Sequence, residues 1–239
     1  MKTLFISDLH LEDSRPETTG WLMEFLSGPA RSADAVYILG DLFEYWIGDD
    51  ALPETARVLA AETSRMATDG LPFYFQHGNR DFLLGDAYAG QAGLQLLPET
   101  VVVDLYGTPT LLLHGDSLCT DDVDYQAIRR QTRDPAWQAA ILAKSIAERI
   151  EIARNARDAS AGHKDAASMA IMDVNEAAVV KAYADNRVGR MIHGHTHRPA
   201  VHQHDLGNGE SGERIVLADW YSKGSYLEVT PEGARSLDI

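Results

Sequence analysis

His193-Gly194-His195-Thr196-His197-Arg198-Pro199 is the stretch on which the reading of this chain turns. Three imidazoles occupy alternate positions directly after Val188–Ile192, a run that predicts a buried strand. If the extension continues, His193, His195 and His197 project to one side, because side chains alternate along a strand. A chelated cation is an economical reason to crowd imidazoles at a strand end. A polar loop with chance histidines is the alternative, and the rest of the chain decides between them.

Three earlier stretches share the design. Leu4-Phe5-Ile6, Ala35–Leu39 and Phe73–Phe75 are short, mainly apolar runs, the pattern of strands covered on both faces. They end in Ser7-Asp8-Leu9-His10, Gly40-Asp41-Leu42 and Gly78-Asn79-Arg80-Asp81. Between them, Pro16–Leu26 and Glu54–Thr68 predict helices, the first with Trp21, Leu22, Phe25 and Leu26 on one face. Strand, helix, strand, helix, strand predicts an α/β fold, and open α/β sheets bind ligands at the carboxyl ends of their strands. Asp81 and Asp86 also read as turn or helix-cap residues. Asp8, Asp41 and Asn79 lie just past the strand ends, which favours a functional reading.

Val101–Leu105 and Thr110–His114 predict a hairpin around Gly107-Thr108-Pro109, its second arm ending in His114-Gly115-Asp116. Residues 121–165 change character. Tyr125–Arg133 and Ala136–Arg157 predict two helices separated by Asp134-Pro135. Arg129, Arg130, Arg149, Arg154 and Arg157 gather positive charge there. The segment reads as a helical insertion over the strand edge, or as an ordinary helical hairpin with a solvated basic face. Ala159–Ala170 reads as a loop and Asn175–Asp185 as a helix. Ala200–His204, Arg214–Ala218 and Tyr226–Val229 predict antiparallel strands, with a turn at Gly207-Asn208-Gly209.

The 239 residues, 45% of them hydrophobic, suffice for one large domain or a domain with an insertion. A formal charge of −15 argues against non-specific nucleic-acid binding. It leaves an anionic substrate open, because a divalent ion reverses the local sign. The single cysteine, Cys119, allows no intrachain disulfide and fits a reducing cytosol. The first apolar run breaks after three residues, unlike a signal peptide, and no run of about 18 apolar residues predicts a membrane span.

The strand-end groups are Asp8, His10, Asp41, Asn79, His114, His195 and His197. Oxygen and imidazole donors without thiolate suit Mn²⁺, Fe²⁺, Zn²⁺ or Mg²⁺. Seven protein donors exceed what one catalytic ion takes; they suit two ions sharing a carboxylate, an arrangement that clamps a phosphoryl group for hydrolysis. His193 reads as support for its neighbours, and His77, His163, His202 and His204 as non-ligands.

Asp8-x-His10, Gly40-Asp41, Gly78-Asn79-Arg80-Asp81, His114-Gly115-Asp116 and Gly194-His195-x-His197, in that order, resemble the calcineurin-like metallophosphoesterases. The resemblance spans nearly the whole chain. It implies a β-sandwich flanked by helices, with a core of residues 1–120 and 166–239 and a helical cap of residues 121–165. It further implies one ion on Asp8, His10, Asp41 and His197, and another on Asp41, Asn79, His114 and His195, with Asp41 bridging. Many members carry histidine after the motif asparagine, where it can protonate a leaving alkoxide. Here Arg80 stands instead. Arginine is no acid near neutral pH but binds phosphate oxygens bidentately, which favours a pyrophosphate substrate.

With Phe43-Glu44, Trp46, Gly48-Asp49-Asp50, Phe82-Leu83 and Ile171-Met172-Asp173-Val174 added, the motifs resemble one branch of that family. Its members split the pyrophosphate of a UDP-linked diacylated glucosamine in lipid A biosynthesis. The resemblance implies two Mn²⁺ ions and attack of metal-bound hydroxide on the uridine-side phosphorus. It assigns catalysis to Asp41, Asn79, Arg80 and His195. It assigns substrate contacts to Asn79, Arg80, Asp122, Tyr125, Arg157, Ser160, Lys164 and His195; where the pattern commonly has a lysine this chain has Lys164 and then Ala167, so either Lys164 replaces that lysine or the loop is arranged differently. It implies a cytoplasmic protein peripheral to the inner membrane, with no nucleic-acid partner. A soluble nucleotide or nucleotide-sugar pyrophosphatase is the competing expectation. A non-catalytic scaffold predicts degraded ligands, and all seven are intact.

Overall fold

Apolar runs without alternation are stable only where both faces are covered, and the first strands of this chain obey that rule. The computed structural model describes residues 1–166, 173–207 and 209–239, excluding the side chains of residues 158–166. Strands β1 (Thr3–Ile6), β2 (Ala35–Leu39), β3 (Phe73–Gln76) and β4 (Leu94–Leu96) run parallel, connected by helices α1 (Pro16–Ser27), α2 (Glu54–Thr68) and α3 (Asp86–Ala92). Strands β5 (Thr100–Leu105), β6 (Thr108–Leu113), β7 (Arg190–His193), β8 (Ala200–Gly207) and β9 (Glu210–Val216) form a second sheet in the order β5-β6-β7-β9-β8. Strands β10 (Ser225–Thr230) and β11 (Gly233–Asp238) return to the first sheet, whose order is β11-β10-β1-β2-β3-β4.

Alternate residues sort themselves between layers. Phe5, Leu39, Leu227 and Val229 of the first sheet meet Leu112, Ile192 and Ile215 of the second, which makes the two sheets a sandwich. Leu4, Ile6, Val36, Ile38, Phe73 and Phe75 point the other way, onto Leu22 and Phe25 of α1 and Leu59 of α2. Between β6 and β7 in the chain come helices α4 (Val123–Thr132), α5 (Pro135–Leu142), α6 (Ile146–Ala166) and α7 (Glu176–Asn186). Helix α7 covers the outer face of the second sheet, setting Val179 and Tyr183 against Leu111, Leu113 and Met191. The expected α/β sandwich flanked by helices is the observed fold.

The single helix expected over Ala136–Arg157 is broken at Ala143–Ser145. Ser145 and Glu148 cause the break: Glu148 Oε2 accepts from the Ser145 backbone N–H at 3.0 Å and from its hydroxyl at 2.6 Å, starting α6 anew. The loop expected from Ala159 is helical as far as Ala166; the rest of it, to Ala170, lies outside the described residues.

The hairpin turn also lies earlier than expected, at Tyr106 (φ 56°) and Gly107 (φ 89°), with Leu105 paired to Thr108. Two left-handed residues in a two-residue loop match the twist of the flanking strands. The alternation expected of the three histidines is not observed. Strand β7 ends at His193, and His195 (φ 68°) and His197 (φ 54°) turn left-handed, so His193 faces elsewhere.

Candidate metal centre and its adjoining groove

The carboxyl ends of β1, β2, β3, β6 and β7 deliver seven donors to one place. Asp8 is fully buried; its Oδ2 accepts from the Ser7 hydroxyl at 2.6 Å and from the His195 N–H at 2.9 Å. That leaves Oδ1 turned inward, 3.3 Å from His197 Nε2. His10 Nδ1 is paired with Glu44 Oε2 at 2.8 Å, which leaves Nε2 facing inward. His10 Nε2 is 3.4 Å from His197 Nε2. His114 Nδ1 lies 2.8 Å from the Leu39 carbonyl and donates to it, which frees Nε2. Asn79 Oδ1 lies 3.1 Å from that Nε2 and 2.9 Å from His195 Nδ1. Asp41 sits between the two groups, with Oδ1 3.6 Å from His114 Nε2 and Oδ2 3.9 Å from His10 Nε2.

Among the described residues, two donor groups are tight enough for a cation: Asp8, His10 and His197, and Asp8, Asp41 and His114, each with ligand atoms within 4.8 Å of one another. The electrostatics fit an added positive charge. Burial opposes the charged forms of His10 and His114, yet Asp41 and Asp8, with Glu44 beside His10, raise both imidazoles above their usual range. Burial pushes Asp8 up, but its contact with His197 and the charges of His114, His197 and His10 bring it well below the carboxylate range. Burial and neighbouring His114 push His195 down to about 4, keeping it neutral and able to act as a donor. Oxygen and imidazole donors beside buried carboxylates suit a hard to borderline divalent ion.

Backbone constraints account for several motif glycines. A Cβ on Gly78 would lie 2.0 Å from Asp41 Oδ1, and one on Gly194 2.2 Å from Asp8 Oδ2. Asp81 ties these loops together: it is fully buried and accepts from Leu42 N at 2.7 Å and Gly78 N at 2.8 Å. Its reading as a turn residue is therefore the observed one.

A groove of ≈450 Å³ opens beside the donors. Trp46 and Phe82 form its core side, Trp137 and Ile141 its α5 side, and Ile152 and Ala153 its α6 side. Asn79, Arg80 and Tyr125 line it as well, so the groove is continuous with the donor cluster through Asn79. Helices α4, α5 and α6 thus supply one wall of this groove, and loops after the strand ends supply the other. The Tyr125 ring stacks on His195 with centroids 5.8 Å apart, and its hydroxyl donates to Asp116 Oδ2 at 3.0 Å. Arg157 also lines the groove, 3.8 Å from Glu12. Asp122 is buried and caps α4, accepting from Tyr125 N at 2.9 Å. The side chains of Ser160 and Lys164 lie outside the described residues.

Three residues of the site escape a reading of the sequence. Glu44 orients His10 and lies 3.9 Å from Arg80 Nη1. Tyr221 stacks on His10 at 5.2 Å and packs against His197 at 5.4 Å. Asp116, buried beneath Tyr125, also accepts from Arg129 Nε at 2.8 Å. Glu44 and Asp116 stand inside the motifs quoted, but their partners come from other strands or helices. Tyr221 belongs to no motif and carries no sequence signal. His193 is also engaged as a support, its Nδ1 2.8 Å from the Gly194 carbonyl and its Nε2 3.1 Å from Arg214.

A family model for calcineurin-like phosphoesterases matches residues 1–199. The chain belongs to this family, and is a hydrolase of the phosphoesterase class. Among curated relatives, a protein of Stenotrophomonas maltophilia strain K279a named UDP-2,3-diacylglucosamine hydrolase is 51% identical over 245 residues, covering 100% of this chain and 98% of its own. A protein of the same name from Xanthomonas campestris pv. campestris is 49% identical over 240 residues, covering 98% of this chain and 97% of its own.

Proposed function

We propose that this chain hydrolyses the pyrophosphate bond of UDP-2,3-diacylglucosamine, releasing UMP and 2,3-diacylglucosamine 1-phosphate. The observation that carries the reading is the junction of the donor cluster with the apolar groove, where Asn79 belongs to both. The names of the full-length relatives supply the substrate. Two Mn²⁺ ions would be held by Asp8, His10, Asp41 and His197, and by Asp41, Asn79, His114 and His195, with Asp41 shared. When bound, such a pair supplies charge for the phosphoryl oxygens and a nucleophile from water near neutral pH.

The chain's own residues do the rest. Arg80 binds the diphosphate in a planar fork, and its guanidinium does not release a proton near neutral pH. A phosphate leaving group needs none, so the departing sugar phosphate suits Arg80 where an alkoxide would not. Tyr125, whose hydroxyl burial holds well above its usual range, stays protonated and keeps His195 in place through ring stacking. Asn79, Arg80, Asp122, Tyr125, Arg157, Ser160, Lys164 and His195 form the proposed substrate contacts, Asp122 through the start of α4. Residues 121–165 act as a cap on a core of residues 1–120 and 166–239. The cap's apolar interior takes the acyl chains.

No described helix is long and apolar enough to cross a membrane. Exposed Val123, Ile128, Ile146 and Ile150 on the cap support peripheral attachment to the cytoplasmic face of the inner membrane. The test is UMP release from UDP-2,3-diacylglucosamine and from UDP-N-acetylglucosamine by the purified protein with Mn²⁺. UMP from the lipid alone is expected. Equal release from both would move the assignment to a soluble nucleotide-sugar pyrophosphatase.

A further inference from the structure

The segment Gly48-Asp49-Asp50 takes no part in the chemistry above, yet it is built around one side chain from the opposite wall of the groove. Arg149, in the first turn of α6, is 3% exposed. Its Nη1 donates to the Ile47 carbonyl at 2.5 Å and to Asp50 Oδ1 at 2.7 Å, and its Nη2 to Asp50 Oδ2 at 2.5 Å. Its Nε donates to the Lys144 carbonyl at 3.1 Å. A Cβ on Gly48 would lie 2.3 Å from Arg149 Nη1, and Gly48 has φ +128°. Glycine and carboxylate together thus shape a slot for one guanidinium. The slot is itself fixed: Asp49 accepts from Trp46 Nε1, Gly85 N and Tyr88 N, each at 2.9 Å.

Arg149, Ile152, Ala153, Ala156 and Arg157 follow the three- and four-residue spacing of one helix face. All five line the groove. At the far end of this face, Arg157 is 47% exposed and stands 3.8 Å from Glu12. An exposed pair at that distance holds little. The α6 wall is therefore pinned firmly at Arg149 and loosely at Arg157.

We propose that Arg149 is a specificity-determining positioning residue: seated in the Gly48–Asp50 slot, it holds the α6 wall at the spacing an apolar-tailed substrate requires, away from the reacting phosphates. The proposal rests on the acylated substrate inferred above. A fork held by two parallel hydrogen bonds fixes orientation as well as distance, so the groove is formed before the ligand arrives.

The test is Asp50→Asn, with Arg149→Met and the double variant, assayed on UDP-2,3-diacylglucosamine and by amide hydrogen exchange of residues 146–157. Asp50→Asn is expected to raise KM about tenfold with kcat within about twofold. The double variant should cost no more than Arg149→Met alone, because the two residues act through one contact. Amides 146–157 should exchange faster while β1 and β2 keep their protection. An unchanged KM, a kcat that falls in step, additive costs, or unchanged exchange would each overturn the proposal. Should Asp50→Asn fail to fold, Asp50→Ser, which removes the fork at a largely exposed position, is expected to give the same pattern. Binding of a pyrene-labelled long-chain acyl probe keeps the proposal separate from the assigned reaction. If the wild-type protein does not turn over the lipid, that reaction falls, and weaker probe binding by Asp50→Asn still supports the slot. Equal probe binding by both proteins overturns it.

Discussion

Five of the seven proposed ligands hold backbone angles that ordinary residues avoid: Asp8 (φ 55°), His10 (φ 50°), Asp41 (φ 51°), His195 (φ 68°) and His197 (φ 54°). Such angles persist where surrounding bonds over-determine them. Here Asp8 N donates to Gly40 O at 3.1 Å, His10 N to Asp41 O at 3.0 Å, and Gly194 N to His114 O at 2.8 Å. The left-handed turns swing donors from separate strand ends towards one point, which a straight continuation of β7 could not have done. Asp8, His10, Asp41 and Asn79 were legible because each follows an apolar run closely. Glu44 was not, because its role depends on a contact with His10 that only the pairing of β1 with β2 creates. Glu44→Ala is expected to leave the fold intact and weaken Mn²⁺ binding about 10–100-fold, because His10 loses the partner that sets its tautomer. Equilibrium dialysis against Mn²⁺ measures this, and unchanged affinity would remove Glu44 from the site.

At the scale of elements, helix α2 shows how the chain joins its parts. Its own cap position is Pro53, which has no side-chain acceptor. Asp13, from the loop after β1, supplies the cap instead, accepting from Thr55 N at 2.9 Å, Thr55 Oγ1 at 2.8 Å and Glu54 N at 3.2 Å. Those bonds, the Thr55 backbone bond foremost, hold the Asp13 carboxyl below its ordinary value of 3.8. Asp13→Ala is expected to cost about 1 kcal/mol in urea unfolding at pH 7. The folded-state pKa is the lower one, so the contribution is complete above the unfolded value and fades as pH falls through the folded value. The cost should therefore shrink as pH falls below about 4, and a constant cost would discard the charged cap. Helices α1 and α2 were readable from periodicity, and strands β1 to β3 from short apolar runs without alternation. Helix α3 and strand β4 were not, having seven and three residues, too few for a period to register. The break between α5 and α6 was written in Ser145-x-x-Glu148, but the apolar stripe running past it masked the signal.

Across the whole molecule, a protein of formal charge −15 nevertheless lines its groove with Arg80, Arg129, Arg133, Arg149 and Arg157. Arg129 and Arg133 are also engaged by Glu99, at 3.1 Å and 3.2 Å, and brace the cap, whereas Arg80 lies 3.9 Å from Glu44 and Arg157 3.8 Å from Glu12. In the proposed reaction Arg80, Asp41 and the imidazoles serve the phosphorus chemistry, and the groove serves the lipid. A charge inside it should separate the two. Ala153→Glu is expected to raise KM for UDP-2,3-diacylglucosamine at least about tenfold with Mn²⁺ binding unchanged, since burying acyl chains against a carboxylate forfeits their transfer energy. Steady-state kinetics with a Mn²⁺ titration decide it, and an unaltered KM would place the acyl chains elsewhere. The proposed two-ion centre is built from strand ends. Its most direct test is to strip the purified protein with chelator and titrate Mn²⁺ back, reading bound metal and UMP release from UDP-2,3-diacylglucosamine together. Two ions per chain, with UMP release returning as the second site fills and lost in Asp41→Ala, is the result expected. Full turnover in the stripped protein, or saturation at a single ion with full activity, would contradict it.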